Sequence, residues 1–423
     1  MDNVILLETI RTGIPTRNLI KVIPDLRTDL MKTIDADLND LESGRTICGR
    51  IVWGDYGQGK THFLKLAEKH ILSQGYAVSY YSLNRDLGLN NLMNLFPALT
   101  SRVLTSDANL PGLLNQITDN RISPELLEEL TAASAKLSHP LPLYVLEALL
   151  KYELKDMIIL YNTLMGRKEN VTRAKKIIGE YNKKAFANLP KFLQRDHLIS
   201  FMEFFPYLLK TLGYKGWVIL IDELEIIAKQ GKIGRLNSYK NLAWLLNMNK
   251  LHNLPIYTLA ASVNTLHTDV FRGTKKNDAI DMPKLASERF DSQVSKSIEE
   301  FFIKETGPRN LVLAPVSSAK LKPFLEDVLH IHQQAILWKH QPKEDFISLA
   351  IKTIDPSNKP IRQIIRLFIE VLDIFASTGI IPGSFQENLQ VYTDLDGEFC
   401  EPPCDENNDS SGFTETKLQD MFD

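Results

Sequence analysis

Apolar residues near the start of the chain recur at helical spacing: Ile5, Leu6 and Ile10, then Leu19, Val22 and Ile23, then Leu30, Ile34, Leu38 and Leu41. Thr12-Gly13-Ile14-Pro15 interrupts the first helix, because glycine and proline end the periodic pattern. The period then changes. Thr46 to Trp53 is short and apolar and predicts a strand that ends at a glycine-rich loop. Lys60 to Ser73 follows as a helix with Phe63, Leu64, Ala67 and Ile71 on one face; Gly75 stops it, and Tyr76 to Leu83 predicts the next strand. Strand, glycine loop, helix and strand make a βαβ unit, which predicts a parallel sheet.

Residues from about 87 to 210 are rich in Leu, Ala and Lys, broken by Pro111, Pro124, Pro140, Pro142 and Pro190, and show no strand alternation; they predict a helical insertion. Sheet character returns at Trp217 to Ile221 and at Ile256 to Val263, two near-continuous apolar runs of the kind found in strands covered on both faces. Asn310 to Leu313 is a fifth strand candidate, and residues 317–378 read as all-helical. The end of the chain is acidic, with Asp394, Asp396, Glu398, Glu401, Asp405, Glu406 and further acids set against Lys417. Such a segment buries too little apolar area to offset its ordering entropy and is expected to be a solvated tail. Phe413, Leu418, Met421 and Phe422 leave a short partner-docking helix as the alternative.

The glycine-rich loop carries the most specific chemistry. Gly54-Asp55-Tyr56-Gly57-Gln58-Gly59-Lys60-Thr61 fits G-x-x-x-x-G-K-[ST], follows a predicted strand and opens a predicted helix. Its glycines let the backbone turn successive N–H groups onto phosphate oxygens, and the helix that follows adds its partial positive charge. Lys60 would reach the β and γ phosphates, the Thr61 hydroxyl would ligate Mg2+, and His62 adjoins these nucleotide-binding positions. The apolar run Val218 to Ile221 leads directly into Asp222-Glu223. In a parallel sheet that strand end lies beside the phosphate loop, so Asp222 is expected to hold Mg2+ through water and Glu223 to act as base toward an attacking water. That makes the expected chemistry hydrolysis. Glu225 reads as an acid in the first turn of the next helix, with no catalytic role required.

Three further residues are candidates, each beside a plainer reading. Asn264, after the strand 256–263, is placed to sense the γ phosphate and the attacking water, or closes the strand as an Asx turn. Arg289 stands where a finger could reach a neighbouring copy's nucleotide, or is a surface arginine. Arg362 opens a late helix and could fold over the γ phosphate from a lid, or is a helix-start arginine. Arg167, Lys168, Arg173, Lys175, Lys176, Lys183, Lys184, Lys191 and Arg195 form a basic stretch interleaved with Tyr181, Phe186 and Phe192, which offers DNA contact or a solvated helix face.

Composition narrows the classes without choosing among them. The 423-residue chain is 44% hydrophobic and 24% charged with a formal net charge of −3, which describes an ordinary globular protein and gives no global pull toward nucleic acid or membrane. Three cysteines do not make a disulfide framework; Cys48 reads as a small hydrophobe in its strand, and Cys400 and Cys404 lack the remaining ligands of a zinc site. The Met1 to Glu8 segment has no signal-peptide character, and no apolar run approaches membrane-spanning length, so a reduced, cytoplasmic setting is expected.

These residues resemble the P-loop ATP-binding proteins of bacteriophage-exclusion (BREX) and related prokaryotic defence clusters, within the broad AAA+/STAND group. The resemblance rests on Glu8 to Pro15, Ile51 to Leu64, Leu220 to Glu225 and Lys359 to Arg362, and extends over most of residues 1–380. It implies ATP as the nucleotide, Mg2+, hydrolysis coupled to conformational change, and protein partners in an assembly acting on foreign DNA. It also implies that the turn from Arg11 to Pro15 lies near the nucleotide base. The expected fold is α/β: a P-loop NTPase of AAA+/ASCE type with a parallel sheet flanked by helices. Its core would comprise 1–97 and 198–316, with a helical insertion at 98–197, an all-α lid at 317–392 and the tail at 393–423. The expected function is Mg-dependent ATP hydrolysis serving as a switch or motor, with no membrane partner and with DNA or a second copy of the chain as further partner candidates. Two alternatives stand beside it: a DNA-binding or DNA-loading ATPase whose basic insertion grips the duplex, and a nucleotide-gated scaffold with little turnover.

Overall fold

The computed structural model describes residues 3–12, 26–105, 113–118, 122–151, 154–167, 171–181, 194–304 and 310–382, with positions 183, 187 and 189–191 between them. Six strands form one sheet: β1 (Arg50–Trp53), β2 (Ala77–Ser82), β3 (Val103–Leu104), β4 (Trp217–Asp222), β5 (Ile256–Ser262) and β6 (Asn310–Val312). Their spatial order is β3-β2-β4-β5-β1-β6. Every pairing is parallel except that of β2 with the two-residue β3. That short antiparallel edge is absent from the sequence reading, since two residues carry no alternation.

Around the sheet lie α1 (Asn3–Thr12), α2 (Thr28–Glu42), α3 (Lys60–Ser73) and α4 (Leu92–Thr100). The middle of the chain holds α5 (Leu113–Thr118), α6 (Pro124–Ser134), α7 (Leu141–Leu149), α8 (Leu154–Leu164), α9 (Val171–Tyr181) and α10 (Gln194–Thr211). Next come α11 (Lys232–His252), α12 (Asp278–Arg289) and α13 (Ser292–Lys304), and then α14 (Ser318–Ala335), α15 (Phe346–Ile354) and α16 (Ile361–Thr378).

The strand side chains alternate between two cores, as period-two geometry requires. Ile51, Trp53, Trp217, Ile219, Ile221, Ile256 and Ala260 face a large core shared with α4 and the helices from α6 to α13. Val52, Val218, Leu220, Tyr257, Leu259 and Ala261 face a second core with α2 and α3, where Phe63, Leu64, Ala67 and Ile71 meet the sheet as their spacing predicts. Both faces are covered, which is why β4 and β5 read as continuous apolar runs. A third apolar cluster joins Leu6, Leu7 and Ile10 of α1 to α14, α15 and α16. The first helix thus shares its core with the C-terminal helices.

The strand expected from Thr46 begins only at Arg50. Before it, the Ile47 amide donates to Asn249 Oδ1 and the Gly49 amide to the Leu246 carbonyl, so these residues bond to α11 rather than to a neighbouring strand. Cys48 is half-buried there, its thiol 3.2 Å from Asn247 Oδ1. Of the basic stretch, Arg167, Arg173, Lys176, Lys183 and Lys191 are exposed and Lys175 is half-buried. Lys168, Phe186, Phe192 and Lys184, the turn from Gly13 to Pro15 and the acidic tail lie outside the described residues, as do the side chains of Tyr181 and Arg195.

One buried cluster fastens α2 to the sheet. Asp37 receives both Nε and Nη2 of Arg50 from β1, and Tyr257 Oη of β5 donates to Asp37 Oδ2 at 2.8 Å. Breaking a buried pair leaves a charge without its partner, a cost of about 3 kcal/mol. Asp37→Ala is therefore expected to lower unfolding stability by that order, read from the denaturant midpoint; a loss below about 1 kcal/mol would show the cluster to be incidental.

Candidate functional site

Because β1, β5 and β4 are parallel, their C-terminal ends open onto one edge of the sheet. The loop from Gly54 to Gly59 leaves β1 there, its first amide donating to the Ser262 carbonyl of β5 at 3.2 Å. Gly57 and Gly59 adopt φ of 76° and 88°, a left-handed backbone open to glycine at little cost. Space adds to conformation: a Cβ on Gly57 would lie 2.9 Å from Pro360 Cβ. The Arg362 amide, in the first turn of α16, donates to the Gly57 carbonyl at 3.1 Å.

Lys60 opens α3, and its ammonium donates to the Gly54 and Asp55 carbonyls at 3.1 Å each, folded back over the loop. Tyr56, largely exposed, places its ring centroid 5.4 Å from that ammonium. Burial pushes the Lys60 pKa down, while Glu225, Asp222, Glu223 and Asp55 pull it up. The acids at the end of β4 and the ammonium at the start of α3 therefore share one electrostatic site. Thr61 and His62 follow, both half-buried, and burial pushes His62 down to about 4, leaving it neutral near pH 7. Gln58 is buried, and its Oε1 has no hydrogen-bond partner.

Asp222 is 2% exposed and doubly held: Oδ2 accepts from the Tyr80 hydroxyl at 2.7 Å, and Oδ1 from the Glu223 amide at 3.0 Å. Glu223 takes φ 60° and ψ 41°, left-handed values for a residue with a side chain, and strain of this kind collects at functional sites. A 3-10 turn from Leu224 to Lys229 follows, closed by the Ile226 amide on the Glu223 carbonyl at 3.0 Å. It brings Glu225 into the site, 8% exposed, with Oε2 buried and unpartnered. Burial, then the Asp222 carboxylate, push the Glu223 pKa up against the pull of Lys60. Burial, then Glu223, push Glu225 up to about 7.

Asn264 lies two residues beyond β5, and its Nδ2 donates to Asp55 Oδ1 at 2.7 Å, tying that strand end to the glycine loop. The fold thus brings together Gly54 to Thr61, Asp222, Glu223, Asn264 and the backbone of Arg362. Arg289 stands apart, exposed in the last turn of α12, with no ion pair to this site among the described residues. Sequence reasoning missed two members. Glu225 has the place of a helix-start acid, and three acids within four positions after an apolar strand are the signal that marks it. Tyr80 becomes recognisable only from the β2–β4 register.

Among the described residues, no group of three or more His, Cys, Asp and Glu is arranged to hold a metal ion by itself. The donor set still suits Mg2+. Asp222 keeps acceptor capacity on both oxygens, and a hard cation that retains water and takes phosphate ligands needs only one or two protein oxygens.

The fold and site define a mixed α/β protein with a six-stranded, mostly parallel sheet compatible with P-loop NTPases, carrying a glycine loop and paired acids at one sheet edge. The chain belongs to the family of BREX system ATP-binding proteins BrxC/D, whose model matches residues 5–381. That span runs from α1 to just past α16 and stops before the acidic tail. No curated protein matches the chain. Membership associates it with ATP binding in a defence system, and among the described residues no helix is long and apolar enough to cross a membrane.

The buried Glu225 has a consequence for stability. A carboxyl whose folded pKa is raised contributes stability that is full below its ordinary value of 4.5 and is lost as pH rises through about 7. Glu225→Gln cannot ionise, so it is expected to melt a few degrees above the parent near pH 8 and level with it near pH 4.5. Scanning calorimetry at the two pH values measures this; a gain that is the same at both would contradict the assignment.

Proposed function

We propose that this protein is a P-loop ATPase of the ASCE type, AAA+-like, that binds ATP with Mg2+ and hydrolyses it. Turnover would drive a conformational switch or motor step in an anti-phage defence assembly, within the cytoplasm. The observation that supports it most is the electrostatic coupling of Lys60, on the helix that follows β1, to Asp222, Glu223 and Glu225 at the end of β4, with β5 between β1 and β4. Family membership supplies ATP as the nucleotide.

In this reading, the amides of Gly54 to Gly59 and the start of α3 receive the phosphates, and the Lys60 ammonium leaves the Gly54 and Asp55 carbonyls for the β and γ oxygens. The Thr61 hydroxyl and the Asp222 carboxylate would hold Mg2+, which neutralises charge on the phosphates when bound. Glu223 orients the attacking water and takes its proton as the water oxygen bonds to the γ phosphorus. The bond to the bridging oxygen breaks, giving ADP and phosphate. Burial and the Asp222 charge raise the proton affinity of Glu223, the direction that makes a carboxylate a better base. Asn264, held by Asp55, contacts the same water. Arg362 reads the γ phosphate from the lid, and the exposed Arg289 serves a neighbouring copy. The domains follow the same reading: a core of 1–97 and 198–316, an insertion at 98–197 and a lid at 317–392, with α1 packed against the lid.

Two variants separate binding from turnover. Lys60→Ala is expected to abolish nucleotide binding, measured with a fluorescent ATP analogue. Glu223→Gln should bind as the parent does and lose turnover about a hundredfold or more, the scale of a general base. Parental turnover in Glu223→Gln would remove that residue from the role, and nucleotide binding by Lys60→Ala at parental affinity would overturn the site.

A further inference from the structure

Asp222 sits at the end of a strand, and the torsion that turns its carboxylate is intrinsically soft. One hydrogen bond from the next residue, the Glu223 amide on Oδ1, leaves the plane of the group free to swing. The second bond, from Tyr80 on the adjacent strand, fixes it. In the parallel register Tyr80 stands opposite Leu220 and Ser82 opposite Asp222, so Tyr80 and Asp222 project from the same face as diagonal neighbours. The 2.7 Å bond from the phenol to Oδ2 follows from that placement.

Tyr80 is itself held from α3. Lys65 Nζ lies 3.1 Å from the centroid of the Tyr80 ring, and the same ammonium is 2.8 Å from Oε2 of the buried Glu68. A cation over the ring is attracted by its π face and holds the ring in place. Lys65 belongs to the helix that begins with Lys60 and Thr61. A continuous path therefore runs from Glu68 and Lys65 through Tyr80 to Asp222, joining the phosphate side of the site to its acidic side.

We propose that Tyr80 is a positioning residue for the metal: it orients the Asp222 carboxylate toward Mg2+, and Lys65 locks it to the helix that follows the glycine loop. This rests on the ATPase reading above. Nothing in the role requires Tyr80 to touch nucleotide or metal.

The test is Mg2+ dependence, which a merely structural tyrosine would not change selectively. Binding of a fluorescent ATP analogue is titrated in EDTA and across a Mg2+ series for the full-length parent, Tyr80→Phe, Lys65→Met, Asp222→Asn and the Tyr80→Phe/Asp222→Asn double variant, with melting temperature recorded for each. Loss of an orienting partner costs roughly tenfold or more in metal affinity. Tyr80→Phe is thus expected to bind nucleotide in EDTA as the parent does and to need about ten times more Mg2+ for the same effect. Lys65→Met should move the midpoint in the same direction by less, and it carries the test if Tyr80→Phe fails to fold. In the Asp222→Asn background, Tyr80→Phe should add nothing, because both changes act through one carboxylate. A parental Mg2+ midpoint in Tyr80→Phe, or an equal loss of affinity with and without Mg2+, overturns the inference alone. Nucleotide binding by the parent that is indifferent to Mg2+ overturns this inference, and absence of nucleotide binding by the parent at every Mg2+ concentration overturns the ATPase reading with it.

Discussion

The site depends on the two parallel ladders that hold β5 between β1 and β4. They bring Trp53, Ser262 and Asp222 to one edge, so that the loop leaving the first strand faces the acids ending the last. Because side chains alternate along a strand, a slip of one residue in the β4 ladder would carry the Asp222 side chain to the opposite face. Asp37, Arg50 and Tyr257 fix the companion register, that of β1 against β5, from inside the second core. One carboxylate there bridges β1 and β5 and belongs to a helix that packs across them.

The charge balance at the sheet edge sets how an anion can be received. Four carboxyl groups, those of Asp55, Asp222, Glu223 and Glu225, act on one ammonium, so side-chain charge alone would repel a triphosphate. Attraction has to come from the loop amides and the N-terminal end of α3, whose dipoles carry no counter-charge to desolvate. Glu225, pushed up to about 7, acts in the same sense, since its bound proton removes part of the repulsion.

Much of this arrangement was legible in the chain. The octet at 54–61 announces itself because close backbone approach demands glycine, and β4 and β5 announce themselves because strands covered on both faces read as near-continuous apolar runs. What escaped depends on contacts distant in sequence. Thr46 to Gly49 are apolar enough for a strand, yet α11 claims their hydrogen bonds. Tyr80 reads as one more β-forming aromatic until β4 is laid beside it. Glu225 obeys the rule for acids in a first turn, and only the left-handed backbone at Glu223 reveals that the turn carries it inward. The pairing of α1 with the C-terminal helices escaped for a similar reason: an amphipathic pattern says that a helix has a partner without saying which.

The clasp between Arg362 and Gly57 sits at one end of α16, and the other end is moored to α1 and α14 through Asp373, which receives Arg11 at 2.7 Å and His332 at 3.0 Å. The helix is eighteen residues long, about 27 Å of stiff rod. A tilt of about 10° at the Gly57 end would sweep the far end through ~5 Å, by the same rise per residue. Geometrically, α16 is a lever with its short contact on the phosphate loop, and the N-terminal helix rides on its long arm.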